Sequence, residues 1–146
     1  MLYTYEYPRA SVTVDIVVFC KFDDILKVLL IQRGNEPFRD QWAFPGGFIE
    51  MEETLLNTAQ RELEEETGLK GIDLRQFKTY GDPGRDPRGR TVTIIFYGFA
   101  EPKNSSVTGA DDAKNAGWFA VDKIPILAFD HQKILDDLLD MINTAE

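Results

Sequence analysis

Several glutamates share one predicted helix in the middle of the chain, and their spacing suits the binding of a hard cation. Residues 52–67 lack proline and glycine and are rich in helix-forming residues, and a glycine follows them at the position of a left-handed cap. At about 100° per residue, Glu62, Glu65 and Glu66 fall within an arc of roughly 100° beside the apolar stripe of this helix. Arg61 can pair with Glu65, but one guanidinium cannot neutralise three carboxylates. A divalent cation such as Mg²⁺ can, because it prefers carboxylate oxygens, water and phosphate.

An acidic helix surface is more often a solvated face than a metal site. A solvated face should lie opposite the apolar stripe, and that position is taken here by four other polar residues, Glu53, Asn57, Gln60 and Glu64. The remaining three glutamates flank the stripe instead, where like charges repel one another at helical neighbour spacing. This placement favours the cation-binding interpretation.

Residues 47–69 resemble the signature of the Nudix hydrolase family. Gly47 is followed after five residues by Glu53, and after seven more by the run RELEEETGL that starts at Arg61, so that every fixed position of the signature is matched. The resemblance extends over the rest of the chain. It implies hydrolysis of a nucleoside diphosphate linked to another moiety, with the metal held by three glutamates, Glu62, Glu65 and Glu66.

The same resemblance assigns further roles around the metal. Glu53 would be an accessory carboxylate, and Arg61 would orient the glutamates by pairing with them. The expected cofactor is Mg²⁺, for which Mn²⁺ can substitute. A cation is needed because the negative charge of a pyrophosphate repels an attacking water, and the metal both neutralises that charge and lowers the pKa of the water. Glu62 or Glu65 could take the proton of that water.

The loop 81–90, GDPGRDPRGR, bears on the substrate. Its glycines, prolines and aspartates are typical of a connector between two strands. Its arginines are unusual in so acidic a chain and suit bidentate phosphate contacts, so Arg85, Arg88 and Arg90 are candidate phosphate or sugar ligands. The loop resembles that of the ADP-ribose pyrophosphatases within the family, which carry a proline about fifteen residues after the signature. Pro83 matches that position.

Other candidate substrate contacts lie before the glutamate helix. Arg33 ends a predicted strand at a place that faces the phosphates in Nudix domains, although a strand-end arginine is more often a surface residue. Gly46 and Gly47 would let the backbone approach the substrate or adopt positive φ. Three aromatic residues could stack on an adenine, but at least two of them are expected in the core: Phe38, Trp42 and Phe44.

The general base is assigned less directly. Asp111 and Asp112 lie in a loop where Nudix enzymes often place an additional carboxylate, and Asp112 is the catalytic candidate; the alternative is that both serve a turn or a helix cap. His131, the single histidine, opens the last predicted helix and is expected to be structural.

The pattern of elements predicts an α/β fold, specifically an α/β/α sandwich with a mixed β-sheet. Glycine and aspartate turn signals separate β-branched and aromatic runs, which are read as strands. The first two strands are expected to pair antiparallel. Strands are predicted at Ser11–Phe22 and at 25–31, 74–80, 92–100 and 117–121, a loop at 34–41 leads towards Gly46 and Gly47, and helices are predicted at 52–67 and 130–142.

Composition predicts one domain covering residues 1–146. The chain is 43% hydrophobic, which is enough for one core, and it contains no segment with the length and apolarity of a membrane span. A net charge of −9 argues against binding to nucleic acid backbones. The lone Cys20 excludes an intrachain disulfide, and the first residues lack a secretory leader, so a cytoplasmic location is expected.

The favoured function is a Mg²⁺-dependent pyrophosphatase that splits ADP-ribose into AMP and ribose 5-phosphate. A pyrophosphohydrolase of nucleoside triphosphates or other dinucleotides would use the same metal site. A sensor domain that binds ADP-ribose without turnover is the alternative of another class, since regulatory proteins with Nudix-like domains resemble this chain at YPRASVTVD and in loop 81–90. The complete set of glutamates favours the hydrolase, and with only a terminal helix after the sheet no added DNA-binding module is expected.

The aromatic N-terminal segment bears on assembly. Tyr3, Tyr5 and Tyr7 make it too hydrophobic for a free tail, so it should add a strand to a partner or pack on its own sheet. Similar pyrophosphatases are commonly dimers, and a homodimer is therefore expected.

Overall fold

A mixed sheet with one helix on each face forms the fold in residues 2–145, the part of the chain that the computed structural model describes. The predicted α/β/α sandwich is confirmed. In chain order the elements are β1 (Ser11–Phe22), β2 (Ile25–Arg33), β3 (Trp42–Ala43), β4 (Gly46–Phe48), α1 (Leu55–Thr67), β5 (Arg75–Tyr80), β6 (Thr91–Ala100), a 3₁₀ turn (Pro102–Asn104), β7 (Ala113–Ala120) and α2 (His131–Ala145).

Strand β1 lies at the centre of the sheet and changes partner along its length. The strand order is β3-β2-β1-β6-β5, with β4 paired to β1 and β7 paired to β2. Along one edge β1 runs parallel to β6 from Ser11↔Thr91 to Cys20↔Ala100. On the other edge residues 13–15 pair with β4 and residues 19–22 pair antiparallel with β2, as predicted for the first two strands. The backbone between these two pairings leaves room for a cavity.

The alternation of side chains along β1 divides the core into two layers. On one face Val14, Ile16 and Val18 pack against α1, whereas Val17 and Phe19 on the other face pack against α2. Each fully buried aliphatic side chain of this kind contributes about 1.5–3 kcal/mol. Because successive residues of a strand point to opposite faces, Thr13 and Asp15 lie on the α2 side with Val17.

Helix α1 has well-formed ends. Thr54 caps the first turn by accepting a hydrogen bond from the Asn57 N–H, and Gly68 closes the last turn in the left-handed conformation at φ 78°. The helix begins at Leu55 rather than at residue 52, because the extended backbone of Thr54 is the cap. The predicted C-terminal end at Thr67 is confirmed.

Two predictions from the sequence need correction. Strand β7 begins at Ala113, before the predicted residue 117, because its polar first residues pair with the end of β2. The N-terminal segment does not pack on its own sheet: residues 2–10 lie outside the strands, Tyr3 stacks on Tyr5, and Tyr7 is 72% exposed. Neither α1 nor α2, the α-helices in the described residues, is long and apolar enough to cross a membrane.

Candidate active site

A cavity of about 280 Å³ opens beside the point where β1 changes partner. It receives side chains from both helices and from the loops at this edge of the sheet. The cavity brings together seven of the residues predicted from the sequence: Arg33, Gly46, Gly47, Glu66, Arg85, Arg88 and Asp112. The predicted site is therefore assembled from segments that are far apart in the chain.

Gly46 and Gly47 separate the acidic side of the cavity from the central strand. Gly46 pairs with Asp15, and its N–H donates a 2.7 Å hydrogen bond to Glu66 Oε1. A Cβ atom on Gly47 would lie 2.5 Å from Glu62 Oε1, and one on Gly46 would overlap the Asp15 carboxylate. In the structure these glycines permit a close approach to carboxylates on both faces, and neither adopts the positive φ considered for them, so an approach to substrate remains a prediction.

Arg61 holds three carboxylates through its guanidinium group. It donates to Glu53 at 2.9 Å, to Glu62 at 2.8 Å and to Glu65 at 3.2 Å. The hydrogen bonds from Arg61 lower the pKa of Glu53 to about 2, and the Thr58 hydroxyl also donates to that carboxylate. Arg61 therefore has the geometry of the orienting residue that the sequence predicts.

Glu66 lines the cavity and makes no ion pair among the described residues. Its side chain is buried, and burial raises its pKa to about 8 in spite of the Gly46 N–H that donates to it. The neighbouring charges of Glu62, Asp15 and Asp112 act in the same direction. Burial also raises the pKa of Glu62, against the effect of Arg61. Carboxylate oxygens with too little positive charge around them fit a hard divalent cation.

The glutamates do not form a ready-made metal centre as they stand. Within residues 2–145, no three Asp, Glu, His or Cys side chains are grouped closely enough to hold a metal ion. Arg61 hydrogen-bonds to oxygens of both Glu62 and Glu65, which would have to turn from it to bind a metal. The assignment of Glu53, Glu62, Glu65 and Glu66 as metal ligands remains a prediction.

Arg33 and Arg88 form the cationic side of the cavity. Arg33 lies over the Phe129 ring at 5.0 Å from its centroid, and Arg88 lies over the same ring at 5.6 Å. In the described part of the chain Arg33 makes no ion pair; its Nε donates to the Pro37 carbonyl. Burial lowers the pKa of Arg33, and the charge of Arg88 lowers it further. An anion bound between the two guanidinium groups would relieve that repulsion.

Two arginines of loop 81–90, Arg85 and Arg88, form ion pairs within the protein. Arg85 is deeply buried and binds Asp130 through two hydrogen bonds of 2.9 and 2.7 Å, while Arg88 pairs with buried Asp86 at 2.7 Å. The structure does not bring Pro83 or Arg90 to the cavity. Pro83 is exposed, and Arg90 donates to the Gly81 carbonyl within the loop.

Of the two candidate aspartates, only Asp112 reaches the cavity. It accepts a 3.2 Å hydrogen bond from Asn35, and its charge contributes to the raised pKa values of Glu62 and Glu66. Asp111 is exposed and adopts φ 53° in a turn, which is the alternative considered for it.

The expectation that at least two of the three candidate aromatic residues belong to the core is confirmed. Phe44 is 2% exposed and lines the cavity from the core, and Trp42 packs on Phe119. Phe38 packs on Phe129, with ring centroids 4.8 Å apart. Phe44 stacks on His131 with ring centroids 4.7 Å apart, and neither Trp42 nor Phe38 lines the cavity.

Sequence reasoning missed a polar group between β1 and α2. Asp15 Oδ2 accepts a 2.6 Å hydrogen bond from the Thr93 hydroxyl and lies 3.7 Å from His131 Nε2. His131 is buried, accepts a 3.1 Å hydrogen bond from the Phe44 N–H and lines the cavity, so its structural role also shapes the site. The available signal was the charge of Asp15 inside the apolar run SVTVDIVVF, since buried charges are rarely unpaired.

These features define a class of α/β/α domain in which a glutamate-rich helix faces an arginine-lined cavity across a pair of glycines. The chain belongs to the NUDIX domain family, whose model matches residues 10–139.

Two curated proteins are similar in sequence to this chain. The chain is 42% identical over 113 residues to an ADP-ribose pyrophosphatase of Methanocaldococcus jannaschii, covering 77% of this chain and 66% of the relative. It is 33% identical over 142 residues to an ADPR responsive transcriptional repressor of Acinetobacter baylyi, covering 94% of this chain and 56% of the repressor. The chain thus spans about two thirds or less of these curated relatives.

The fold also matches solved structures. The NUDIX domain of Shewanella oneidensis NrtR in complex with ADP ribose superposes with a TM-score of 0.85 at 32% identity, covering 93% of this chain and 90% of that domain. The Nudix family assignment and the α/β/α fold made from the sequence are both confirmed.

We expect Glu66 to make the metal-free fold less stable as the pH rises. The unfolded carboxyl ionises near its ordinary pKa of 4.5, whereas the folded one keeps its proton up to about pH 8. Because the folded state holds the extra proton between these values, the free energy of unfolding should fall through this window, by on the order of 5 kcal/mol. The pH dependence is measured by urea unfolding in the presence of a chelator. The variant Glu66→Gln should flatten it, and an unchanged slope in that variant would contradict this assignment.

Proposed function

We propose that the chain is a Mg²⁺-dependent pyrophosphatase that hydrolyses ADP-ribose to AMP and ribose 5-phosphate. The observation that carries the proposal is the single cavity in which buried Glu66 faces Arg33 and Arg88. A pyrophosphate bridged by a cation needs both kinds of charge in one place, with carboxylates for the cation and guanidinium groups for the phosphates. The ADP-ribose pyrophosphatase of M. jannaschii and the ADP ribose complex of the NrtR domain support the choice of substrate.

The glutamates of α1 provide the cation side. Glu62, Glu65 and Glu66 would hold Mg²⁺, or Mn²⁺ in its place, with Glu53 as an accessory carboxylate. When bound, the cation would neutralise the anhydride and lower the pKa of an attacking water. Arg61 keeps Glu53, Glu62 and Glu65 in place until then. The low pKa of Glu53 keeps that carboxylate ionised and bound to Arg61 at neutral pH.

The arginines provide the phosphate side. No carboxylate within residues 2–145 pairs with the terminal nitrogens of Arg33, so Arg33 is the proposed primary phosphate ligand. Arg88 shares the Phe129 ring with it but is tied to Asp86, which fixes its position. Arg85 has an indirect role in this proposal, because both of its side-chain hydrogen bonds go to Asp130 rather than towards the ligand. Guanidinium groups held in this way are already oriented for the charge that develops during hydrolysis.

Proton removal from the attacking water falls to a carboxylate near the glutamates. Asp112 lines the cavity and interacts electrostatically with both Glu62 and Glu66. Among the described residues its carboxylate accepts a hydrogen bond from Asn35 only, and so retains acceptor capacity. Asp112 is the proposed base, with Glu62 or Glu65 as the alternative within the metal site.

A second candidate function is an ADP-ribose sensor without turnover. The observation in its favour is the similarity to the A. baylyi repressor over 94% of this chain. The two functions share the ligand cavity and differ in whether the anhydride is broken. A pyrophosphohydrolase of other nucleotides is the enzymatic alternative, and a substrate panel separates it from the ADP-ribose enzyme.

Assembly as a homodimer accompanies this proposal. The support is the exposed aromatic segment at the N-terminus, in which Leu2 is 96% and Tyr7 is 72% exposed. Its partner would be a second copy of this chain.

Turnover is tested with a panel of ADP-ribose, NADH, diadenosine polyphosphates and nucleoside triphosphates. We expect ADP-ribose to be hydrolysed fastest with Mg²⁺, and the variant Glu65→Gln to lose at least about 100-fold in kcat, because it removes a metal ligand. Phosphate released by added phosphatase reports the products. If ADP-ribose raises the melting temperature but no compound is hydrolysed, the hydrolase proposal is rejected in favour of the sensor.

Arg33 and Arg90 form a matched pair for the phosphate contact. The variant Arg33→Gln should weaken ADP-ribose binding by about tenfold or more, because hydrogen bonds to charged groups contribute about 1.5–3 kcal/mol. Arg90→Gln makes the same charge change outside the cavity and should leave the affinity within about twofold of the wild type. Isothermal titration calorimetry measures both constants. Equal losses in the two variants would show that net charge, rather than a contact from Arg33, drives binding.

A further inference from the structure

Asp15 is a cavity carboxylate that the proposed reaction does not use. We propose that Asp15 accepts a hydrogen bond from a ribose hydroxyl of the bound nucleotide and thereby selects ribose over deoxyribose. The inference rests on the proposed function only in taking the ligand to be a nucleotide.

One oxygen of Asp15 is fully engaged by the protein. Oδ2 accepts the Thr93 hydroxyl at 2.6 Å and faces His131 Nε2 at 3.7 Å. His131 Nδ1 accepts from the Phe44 N–H, so the ring proton of the neutral histidine is assigned to Nε2, on the side of Asp15. These contacts hold the carboxylate in one orientation.

The other oxygen is available to a ligand. In the described residues Oδ1 receives no hydrogen bond, while the side chain is 13% exposed and lines the cavity. Gly46 lies directly beside it, and any larger residue there would overlap Oδ1. The absence of a side chain at Gly46 thus leaves space for Asp15 Oδ1, an acceptor that no donor of the described residues uses.

The charge of Asp15 determines which ligand group can lie against it. Burial alone would raise its pKa, but His131 and the Thr93 hydroxyl together keep that pKa below its ordinary range. An ionised carboxylate repels a phosphate, so the ligand group at this point must be a neutral hydrogen-bond donor. Arg33 and Arg88 line the same cavity and leave the phosphates a separate place.

A ribose hydroxyl fits this acceptor better than the adenine amino group. The amino group of adenine is flanked by ring-nitrogen acceptors, which a carboxylate repels. Ribose presents adjacent hydroxyls, each a donor, and an O–H that donates to a carboxylate makes a short, strong hydrogen bond. A metal ion is disfavoured here, because the Nε2 side of His131 and the charge of Arg85 already act on Asp15.

The test is a set of binding measurements in chelator, where turnover does not interfere. Dissociation constants are measured by calorimetry for ADP-ribose, for ATP, for the mono-deoxy forms of each that lack one ribose hydroxyl, and for the hypoxanthine analogue of ADP-ribose. For the wild type, removal of one particular hydroxyl should weaken binding about tenfold or more, and removal of the others much less. This arm needs no variant and therefore does not depend on how a variant folds.

The variant Asp15→Asn completes a double-mutant cycle. It should weaken ADP-ribose binding by a similar factor and bind the critical deoxy form as well as the wild type does, because the contact is already lost. Asp24→Asn makes the same change in the exposed β1–β2 turn and should behave like the wild type.

Other results would overturn the proposal. If Asp15→Asn weakened the binding of every ligand by the same factor, Asp15 would act only on structure. If its effect on affinity disappeared only with the hypoxanthine analogue, the contact would belong to the base. Turnover with Mg²⁺ is measured separately. If Asp15 and a ribose hydroxyl are coupled in binding but no nucleotide is hydrolysed, the proposed function is rejected and this inference is kept. If ADP-ribose is hydrolysed but Asp15 and the hydroxyls are not coupled, the proposed function is kept and this inference is rejected.

Discussion

The antiparallel pairing of Gly46 and Gly47 with Asp15 and Val14 is the constraint on which the site depends. Side chains at these two positions would meet the carboxylates of Asp15 and Glu62. Without side chains, the strand lets groups from the α1 face and the α2 face reach one cavity. The Gly46 N–H then donates to Glu66, so the sheet itself holds a buried carboxylate of the site.

The charges of the site follow from this geometry. Burial forces Glu66 towards its neutral form, while Arg61 keeps Glu53 ionised on the outer side of the helix. Across the glycines, Arg33 lies over the Phe129 ring and has no carboxylate partner in the part of the chain that the structure describes. Among the described residues, Glu66 and Arg33 thus remain without ion-pair partners within one small cavity, whereas Arg88 is paired with Asp86. A ligand that carries both a cation and phosphates would satisfy each side.

Local patterns explain what the sequence predicted well. The periodicity of α1, its glycine cap and the glutamate spacing are all contained within residues 47–69, so the helix and the acidic side of the cavity follow from short-range rules. Asp15 was missed because its partners Thr93 and His131 are distant in sequence, and only strand register brings them together. Arg85 and Arg88 were correctly placed near the cavity, but their partners Asp130 and Asp86 could not be inferred. Pro83 and Arg90 share the same loop composition, and composition does not reveal which side of a loop faces inward.

We propose that one cavity binds a divalent cation and a nucleoside diphosphate as a unit. This proposal is tested most directly by Mn²⁺ titration, followed by electron paramagnetic resonance, with and without a non-hydrolysable methylene analogue of ADP-ribose. We expect the analogue to tighten Mn²⁺ binding by about fivefold or more, and Arg33→Gln to reduce this coupling although it touches no metal ligand. Mn²⁺ affinity that is the same with and without the analogue would contradict it, because the two sides of the cavity would then bind independently.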